Sequence, residues 1–171
     1  MNSAMPHTAA REQLLERWIQ QYGDSVLRIC FVYLADASQA EDAAQDTFIK
    51  AWLSMKQFEG RSGSSEKTWL MRIAINTCRD YHRSKWFRYV DSAKALEKLP
   101  PSMTAVLPED RLLMPDILRL PEKYKQVILL YHYQHMTLAE VAEALGASPS
   151  TVQHRLKKAE ASLKQTLTGG S

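Results

Sequence analysis

Residues Thr137 to Leu163 constrain this chain more tightly than any other stretch. Thr137 and Glu140 stand in T-L-A-E, the spacing of a capping box, in which two side chains satisfy orphan backbone donors at a helix start. Leu138, Val141, Ala142 and Leu145 follow at core spacing, and Gly146 supplies the left-handed residue that stops the helix. Ser148 can cap a second helix with Pro149 in its first position. That helix carries a buried stripe of Val152, Leu156, Ala159 and Leu163, and the small Ala142 lets the two helices cross closely. Two helices joined by so short a turn form a helix-turn-helix. The opposite face of the second helix offers Ser150, Thr151, Gln153, His154, Arg155, Lys157 and Lys158. With Ser148 they make a DNA-reading set. Gln can pair with adenine and Arg with guanine in the major groove, while Lys neutralises phosphate. A hairpin packed on another protein is the competing reading. Both caps, the turn glycine and the basic face agree instead on DNA.

The rest of the chain reads as helical, with apolar residues at helical spacing and no sustained alternation. Residues 1–10 are expected to be a disordered tail. A first helix is expected over Arg11 to Tyr22, ended by Gly23; Asp24 caps a second that runs to Leu34. Ser38 and Glu41 fit a capping box for a third helix reaching Met55. Lys56 to Glu66 is rich in Gly and Ser and reads as a loop. A fourth helix, Lys67 to Trp86, carries Leu70, Ile73, Ala74, Thr77 and Tyr81 as its buried stripe. Pro100, Pro101 and Pro108 then break the pattern, so residues 87–108 read as a linker with a short helical piece near Ala93 to Leu99. A connection this long is unusual inside one domain. The fold class is therefore all-α: two small helical domains, 11–86 and 109–167, joined by a flexible tether, with a tail at 168–171. In the second domain Pro115 interrupts the first helix, and Pro121 suits the first turn of the next, which carries Tyr124, Val127, Ile128 and Tyr131.

Charge is unevenly spread. The net charge of +3 names no partner. From Arg61 to Arg88 seven basic residues face two acids, and from Gly146 to Thr168 four face one. Between Asp24 and Glu59 six acids outweigh three bases. Three surfaces with different partners, or simply solvated helix faces, would give that distribution. Cys30 and Cys78 lie in apolar helical patterns without metal-ligand spacing and read as buried free thiols of a reducing cytosol. Trp18, Trp52 and Trp69 read as core. His132 and His135 have no carboxylate or cysteine partner in the pattern, so no metal site is expected. No signal peptide or membrane-spanning run is present, which points to a cytoplasmic protein. No nucleophile–base pair, phosphate-cradling loop or cofactor motif is found, so neither catalytic residues nor cofactors are expected.

Three ordered motifs carry a resemblance. A-E-D-A-A-Q-D-T-F-I-K-A-W, Ala40 to Trp52, resembles the core-binding helix of bacterial sigma factors. K-T-W-L-M-R-I-A-I-N-T-C-R-D-Y, Lys67 to Tyr81, resembles their promoter-reading helix. L-P-E-K-Y-K-Q-V-I-L-L, Leu120 to Leu130, followed by the helix-turn-helix, resembles their C-terminal domain. Together they are similar to the extracytoplasmic function (ECF) group of the sigma-70 family, the class with only the two essential domains.

The resemblance implies a division of labour. Ala44, Phe48, Ala51, Trp52 and Met55 form the core stripe of the third helix. Asp42, Gln45, Asp46, Ile49 and Leu53 form a second line that mixes acids with apolar groups, as a docking surface would. Its implied partner is the clamp helices of the RNA polymerase beta-prime subunit, with the C-terminal domain reaching the beta flap. The loop from Gln57 to Glu66, with Phe58, Arg61, Ser62 and Ser64, would capture a base flipped from the opened −10 element. Flipping costs a few kcal/mol that stacking and edge hydrogen bonds must return. Lys67, Arg72, Asn76, Arg79 and Arg83 would contact the same element from the fourth helix, and the helix-turn-helix would read the −35 element as duplex. An anti-sigma partner is implied as well; no small-molecule substrate or membrane insertion is. The rival reading is a stand-alone helix-turn-helix regulator, which leaves the second line of the third helix unused. An enzyme with a helical regulatory domain lacks a candidate catalytic group.

Overall fold

The computed structural model describes residues 4–59, 65–84 and 114–169, and every regular element among them is helical. Helix α1 runs without a break from Ala4 to Leu34. Two expectations give way here: residues 4–10 belong to a helix rather than a disordered tail, and Gly23 does not end it. A glycine inside a helix costs about 1 kcal/mol relative to alanine. Trp18 before it and Val26, Ile29 and Cys30 after it are fully buried. Burying one large apolar side chain contributes roughly 1.5–3 kcal/mol, so continuing the helix wins over stopping it. Ala35, at φ 53°, makes the stop that Gly23 does not.

Helix α2 spans Ala37–Leu53. Its cap is Asp36, whose side chain accepts from the Gln39 amide at 2.9 Å, so the expected Ser38 box starts the helix too late. Ala40, Ala43, Thr47 and Ala51 are its buried residues. The expected stripe is shifted by a few tens of degrees: Met55 and Ala51 are buried as expected, while Ala44, Phe48 and Trp52 are only partly covered. A short α3, Met55–Glu59, occupies the start of the expected loop, so Gln57 and Phe58 are helical.

Helix α4 spans Glu66–Ser84. Ser65 caps it, accepting from the Thr68 amide at 3.1 Å. Glu66 in its first turn suits the helix dipole and is held by Arg17 of α1 through 2.6 and 3.1 Å bonds. Leu70, Ala74 and Thr77 are buried as expected, and Met71, Ile75 and Cys78 are buried as well. Helix α4 thus has two covered sides. One packs with Trp18, Ala51, Met55 and Trp69; the other joins the larger core that continues into the C-terminal half. A helix apolar on two sides is covered on both.

The C-terminal half comprises α5 (Met114–Arg119), α6 (Glu122–Ile128), a π-helical turn (Leu129–Tyr133), α7 (Leu138–Leu145) and α8 (Pro149–Gly169). Pro115 sits in the first turn of α5, where its missing N–H removes no helix bond. Pro121 occupies the cap position of α6. Helix α8 continues to Gly169, past the expected start of a tail at 168. The two halves pack together, with α4 lying along α7 and α1 reaching α5 and α6. The expected linker residues 87–108, with the helical piece near Ala93 to Leu99, lie outside the described residues.

Candidate nucleic-acid and polymerase interface

The helix-turn-helix has the local geometry its residues dictate. Thr137 Oγ1 accepts from the Glu140 amide at 3.1 Å, and Glu140 Oε1 accepts from the Thr137 amide at 3.4 Å. Gly146 has φ 64°, and the amide of Ala147 returns to Ala142 O at 3.0 Å. Ser148 Oγ accepts from the Thr151 amide at 3.2 Å, which starts α8. Val152, Leu156 and Ala159 are buried, with Leu163 packed against the same core.

This burial leaves the opposite face of α8 open. Ser148, Ser150, Gln153, His154, Lys157 and Lys158 are exposed, and Thr151 and Arg155 are half-buried. Hydrogen-bond donors and cations therefore stand together on a helix of the right diameter for a major groove. Glu160, the one acid in this part of the chain, is engaged by His132 Nε2 at 2.9 Å. That pair fastens α8 to the π turn. It also gives His132 a carboxylate neighbour that the sequence pattern does not reveal.

On α4, Arg72, Asn76, Arg79 and Arg83 recur at helical spacing on the side left uncovered. Lys67 stands apart from them, its ammonium donating to the backbone oxygen of Gln134 in the other half. Phe58 is packed among aromatic rings, 5.6 Å from Trp18 edge-to-face and 5.2 Å from Trp69. The structure thus places Phe58 in the core of the N-terminal half. Arg61, Ser62 and Ser64 lie outside the described residues.

The second line on α2 is brought together on one exposed side. Asp42 and Gln45 are exposed, Ile49 is 54% exposed and Leu53 is 74% exposed. Asp46 differs from them. It is half-buried and accepts from the Tyr81 hydroxyl at 2.5 Å. Burial and this carboxylate push the Tyr81 phenol well above its ordinary range. Nearby, Lys50 Nζ lies 3.5 Å from Asp80 and 3.3 Å from Thr77 Oγ1, further fastening α2 to α4. Beside the exposed line runs a groove of about 700 Å³ between α1 and α2. Leu15, Ile19, Leu27, Phe48, Ile49 and Trp52 give it an apolar lining, and Glu12, Glu16 and Glu41 add negative charge. Sequence periodicity on α2 alone does not show the contribution of α1 to this surface. Ile19, 45% exposed beside the buried Trp18, is its signal in hindsight.

Chemically, these surfaces bind and do not react. No group of three His, Cys, Asp or Glu able to hold a metal occurs among the described residues. Cys30 and Cys78 are both free and buried, and burial pushes the Cys78 thiol up, with the neighbouring Cys30 thiol adding to the shift. Among the described residues no helix is long and apolar enough to cross a membrane.

An all-helical chain with a DNA-reading helix-turn-helix at one end and a basic helix beside an apolar, acidic docking surface at the other defines a bipartite transcription factor. Comparison with known proteins is specific. Residues 18–88 match the family model "Sigma-70 region 2", and residues 117–163 match "Sigma-70, region 4". The ECF RNA polymerase sigma factor SigW of Bacillus subtilis is 31% identical over 160 residues, covering 85% of this chain and 84% of that protein. The ECF RNA polymerase sigma factor SigL of Mycobacterium tuberculosis is 31% identical over 165 residues, covering 93% and 92%. The solved structure of CnrH in complex with the cytosolic domain of CnrY matches with a TM-score of 0.71 at 25% identity, covering 94% of this chain and 91% of that one. The sigma factor RpoE of Bartonella quintana, solved with the anti-sigma factor NepR, shares the fold with a TM-score of 0.70 at 19% identity, covering 90% and 96%. The chain belongs to the sigma-70 family, in its ECF group, and is an RNA polymerase sigma factor that directs transcription initiation. A stand-alone regulator would not carry the region 2 half.

Proposed function

We propose a residue-level division of that activity. The first unit, α1 to α4, docks on core polymerase through Asp42, Gln45, Ile49 and Leu53 and the adjoining α1–α2 groove. Basic side chains on the beta-prime clamp helices are the matching partner for its acids. Arg72, Asn76, Arg79 and Arg83 on α4, together with Arg61, Ser62 and Ser64, read the opened −10 element. The second unit, α5 to α8, reads the −35 element as duplex through Ser148, Ser150, Thr151, Gln153, His154, Arg155, Lys157 and Lys158, and meets the beta flap. The chain makes and breaks no covalent bond; the polymerase supplies the chemistry, and this chain supplies address and strand opening in the cytoplasm. An anti-sigma partner completes the set. CnrH, similar along its whole length, was solved with the cytosolic domain of CnrY.

The observation that carries docking is the exposure of Ile49 and Leu53 on a helix whose other sides are packed. A few hundred Å² of contiguous exposed apolar surface marks an interaction site. Pull-down of core polymerase tests it. The wild type retains core and Leu53→Asp/Ile49→Asp does not; equal retention by both refutes this face. For the loop, Arg61→Ala should slow open-complex formation more than duplex binding, and equal losses would refute strand capture.

A further inference from the structure

The halves are joined at two places by polar bonds set around a shared apolar core. At the start of α4, Thr68 Oγ1 donates to Glu140 Oε2 at 3.3 Å, and Lys67 donates to Gln134 O. Glu140 is the capping-box residue of α7, so its carboxylate closes the helix-turn-helix with one oxygen and binds α4 with the other. At the end of α1, the Tyr33 hydroxyl donates to the Glu122 carboxylate and accepts from Gln126 Nε2 at 3.0 Å. Lys125 Nζ donates to Tyr33 O at 3.3 Å, and His82 of α4 lies 3.9 Å from Glu122. Tyr33, Lys125 and Gln126 are buried.

This arrangement cannot serve a promoter. Elements centred at −35 and −10 are separated by about 25 base pairs, roughly 85 Å at about 3.4 Å per step. Here the start of α4 touches the start of α7. Helix α7, eight residues and about 12 Å long, leads through one turn to the reading end of α8. The halves must part by several tens of ångströms before both elements are in reach. Residues 85–113 connect them and reach about 100 Å when fully extended, enough for that separation.

We infer that the free protein inhibits itself: the Tyr33–Glu122–Gln126 and Thr68–Glu140 contacts latch the −10 half onto the helix-turn-helix half, and core polymerase engages both elements only after the latch opens. The docking line of α2 stays exposed in the latched form, so the first contact with polymerase does not require opening. Full engagement does, and its apparent affinity falls with the fraction of chains that are open. No inhibitor protein is needed to hold this state.

Spin labels at two exposed helix positions, Gln20→Cys and Ala161→Cys, test the latch in the full chain; Cys30 and Cys78 are fully buried and do not compete for label. The free protein should give one narrow, short distance, replaced by a long one when core polymerase is added. A broad distribution in the free chain, or an unchanged peak with bound core, overturns the inference. In the same background Tyr33→Phe/Thr68→Ala removes one hydroxyl from each contact without touching the docking or DNA-reading residues. It should shift at least a tenth of free molecules to long distances and tighten core binding severalfold. Halves that open with no gain in core affinity overturn the inhibitory role. The distances in the free chain judge the latch whether or not the proposed docking face is correct.

Discussion

The Tyr81 hydroxyl donates a 2.5 Å hydrogen bond to Asp46 Oδ2, tying the promoter-reading helix α4 to the docking helix α2. Asp46 sits in the acidic line that sequence reasoning assigns to polymerase, yet its carboxylate is already committed within the chain. Tyr81→Phe should therefore lower stability by about 1–2 kcal/mol, the cost of leaving a partly buried acceptor unsatisfied. Core affinity should change little. Asp42→Arg, at an exposed position, should do the reverse: unchanged melting temperature and weakened core binding. Thermal melts beside core-binding titrations distinguish the two; a Tyr81→Phe protein as stable as wild type would show that the bond contributes nothing.

The recognition helix makes a sequence-dependent prediction. Arg155→Ala should weaken −35 duplex binding by about 1–3 kcal/mol and relax preference at one base pair if the guanidinium pairs with a base edge. Lys158→Ala should weaken all duplexes alike and reduce the salt slope by about one. Binding isotherms across single-base variants at two salt concentrations measure both. A uniform loss from Arg155→Ala would reassign that residue to phosphate.

Lys125 gives a pH signature. Burial lowers its pKa from 10.5 to about 8, with Glu122 and Cys78 partly opposing the shift. The unfolded chain then holds more protons than the folded one between about pH 8 and 10.5, so stability rises with pH across that window. Below pH 8 the buried ammonium destabilises the fold by an amount on the order of 3 kcal/mol. Lys125→Met, of similar volume, should be more stable at pH 7 and should lose the rise. Denaturant unfolding from pH 7 to 10.5 checks this; equal slopes for the two proteins would contradict it.

Gly146 is the one described glycine in the left-handed region, and a Cβ there would meet nothing within 4 Å. The cost of Gly146→Ala is thus purely conformational, about 1–2 kcal/mol. Gly23→Ala in α1 should stabilise by about 1 kcal/mol, since its Cβ would only touch Ile19 at 4.0 Å. Opposite shifts in melting temperature are expected, and shifts of the same sign would contradict the assigned backbone roles.

What the sequence made legible follows from where the forces are local. The box of Thr137 and Glu140, the Gly146 stop and the Ser148 cap act within a few residues, and the structure places each as expected. Gly23 misleads because its helix-breaking tendency is local while the burial of Trp18, Val26 and Ile29 that overrides it is tertiary. Ser38 misleads because Asp36, two residues earlier, caps equally well. Met71, Ile75 and Cys78 are visible as apolar residues, but their partner, the other half of the chain, is not. The same holds for Asp46: its spacing puts it on the docking line, and only the packing of α4 reveals Tyr81.

Transcription by core polymerase tests the central claim most directly. Run-off assays on a promoter library varied at −10 and −35 should yield product only when the chain is added, with a defined preference at both elements. Lys157→Ala/Arg155→Ala should erode the −35 preference alone, and Arg79→Ala/Asn76→Ala the −10 preference alone. No product on any promoter, or one preference lost with the other under each variant, would contradict the assignment of two separate readers to α4 and α8.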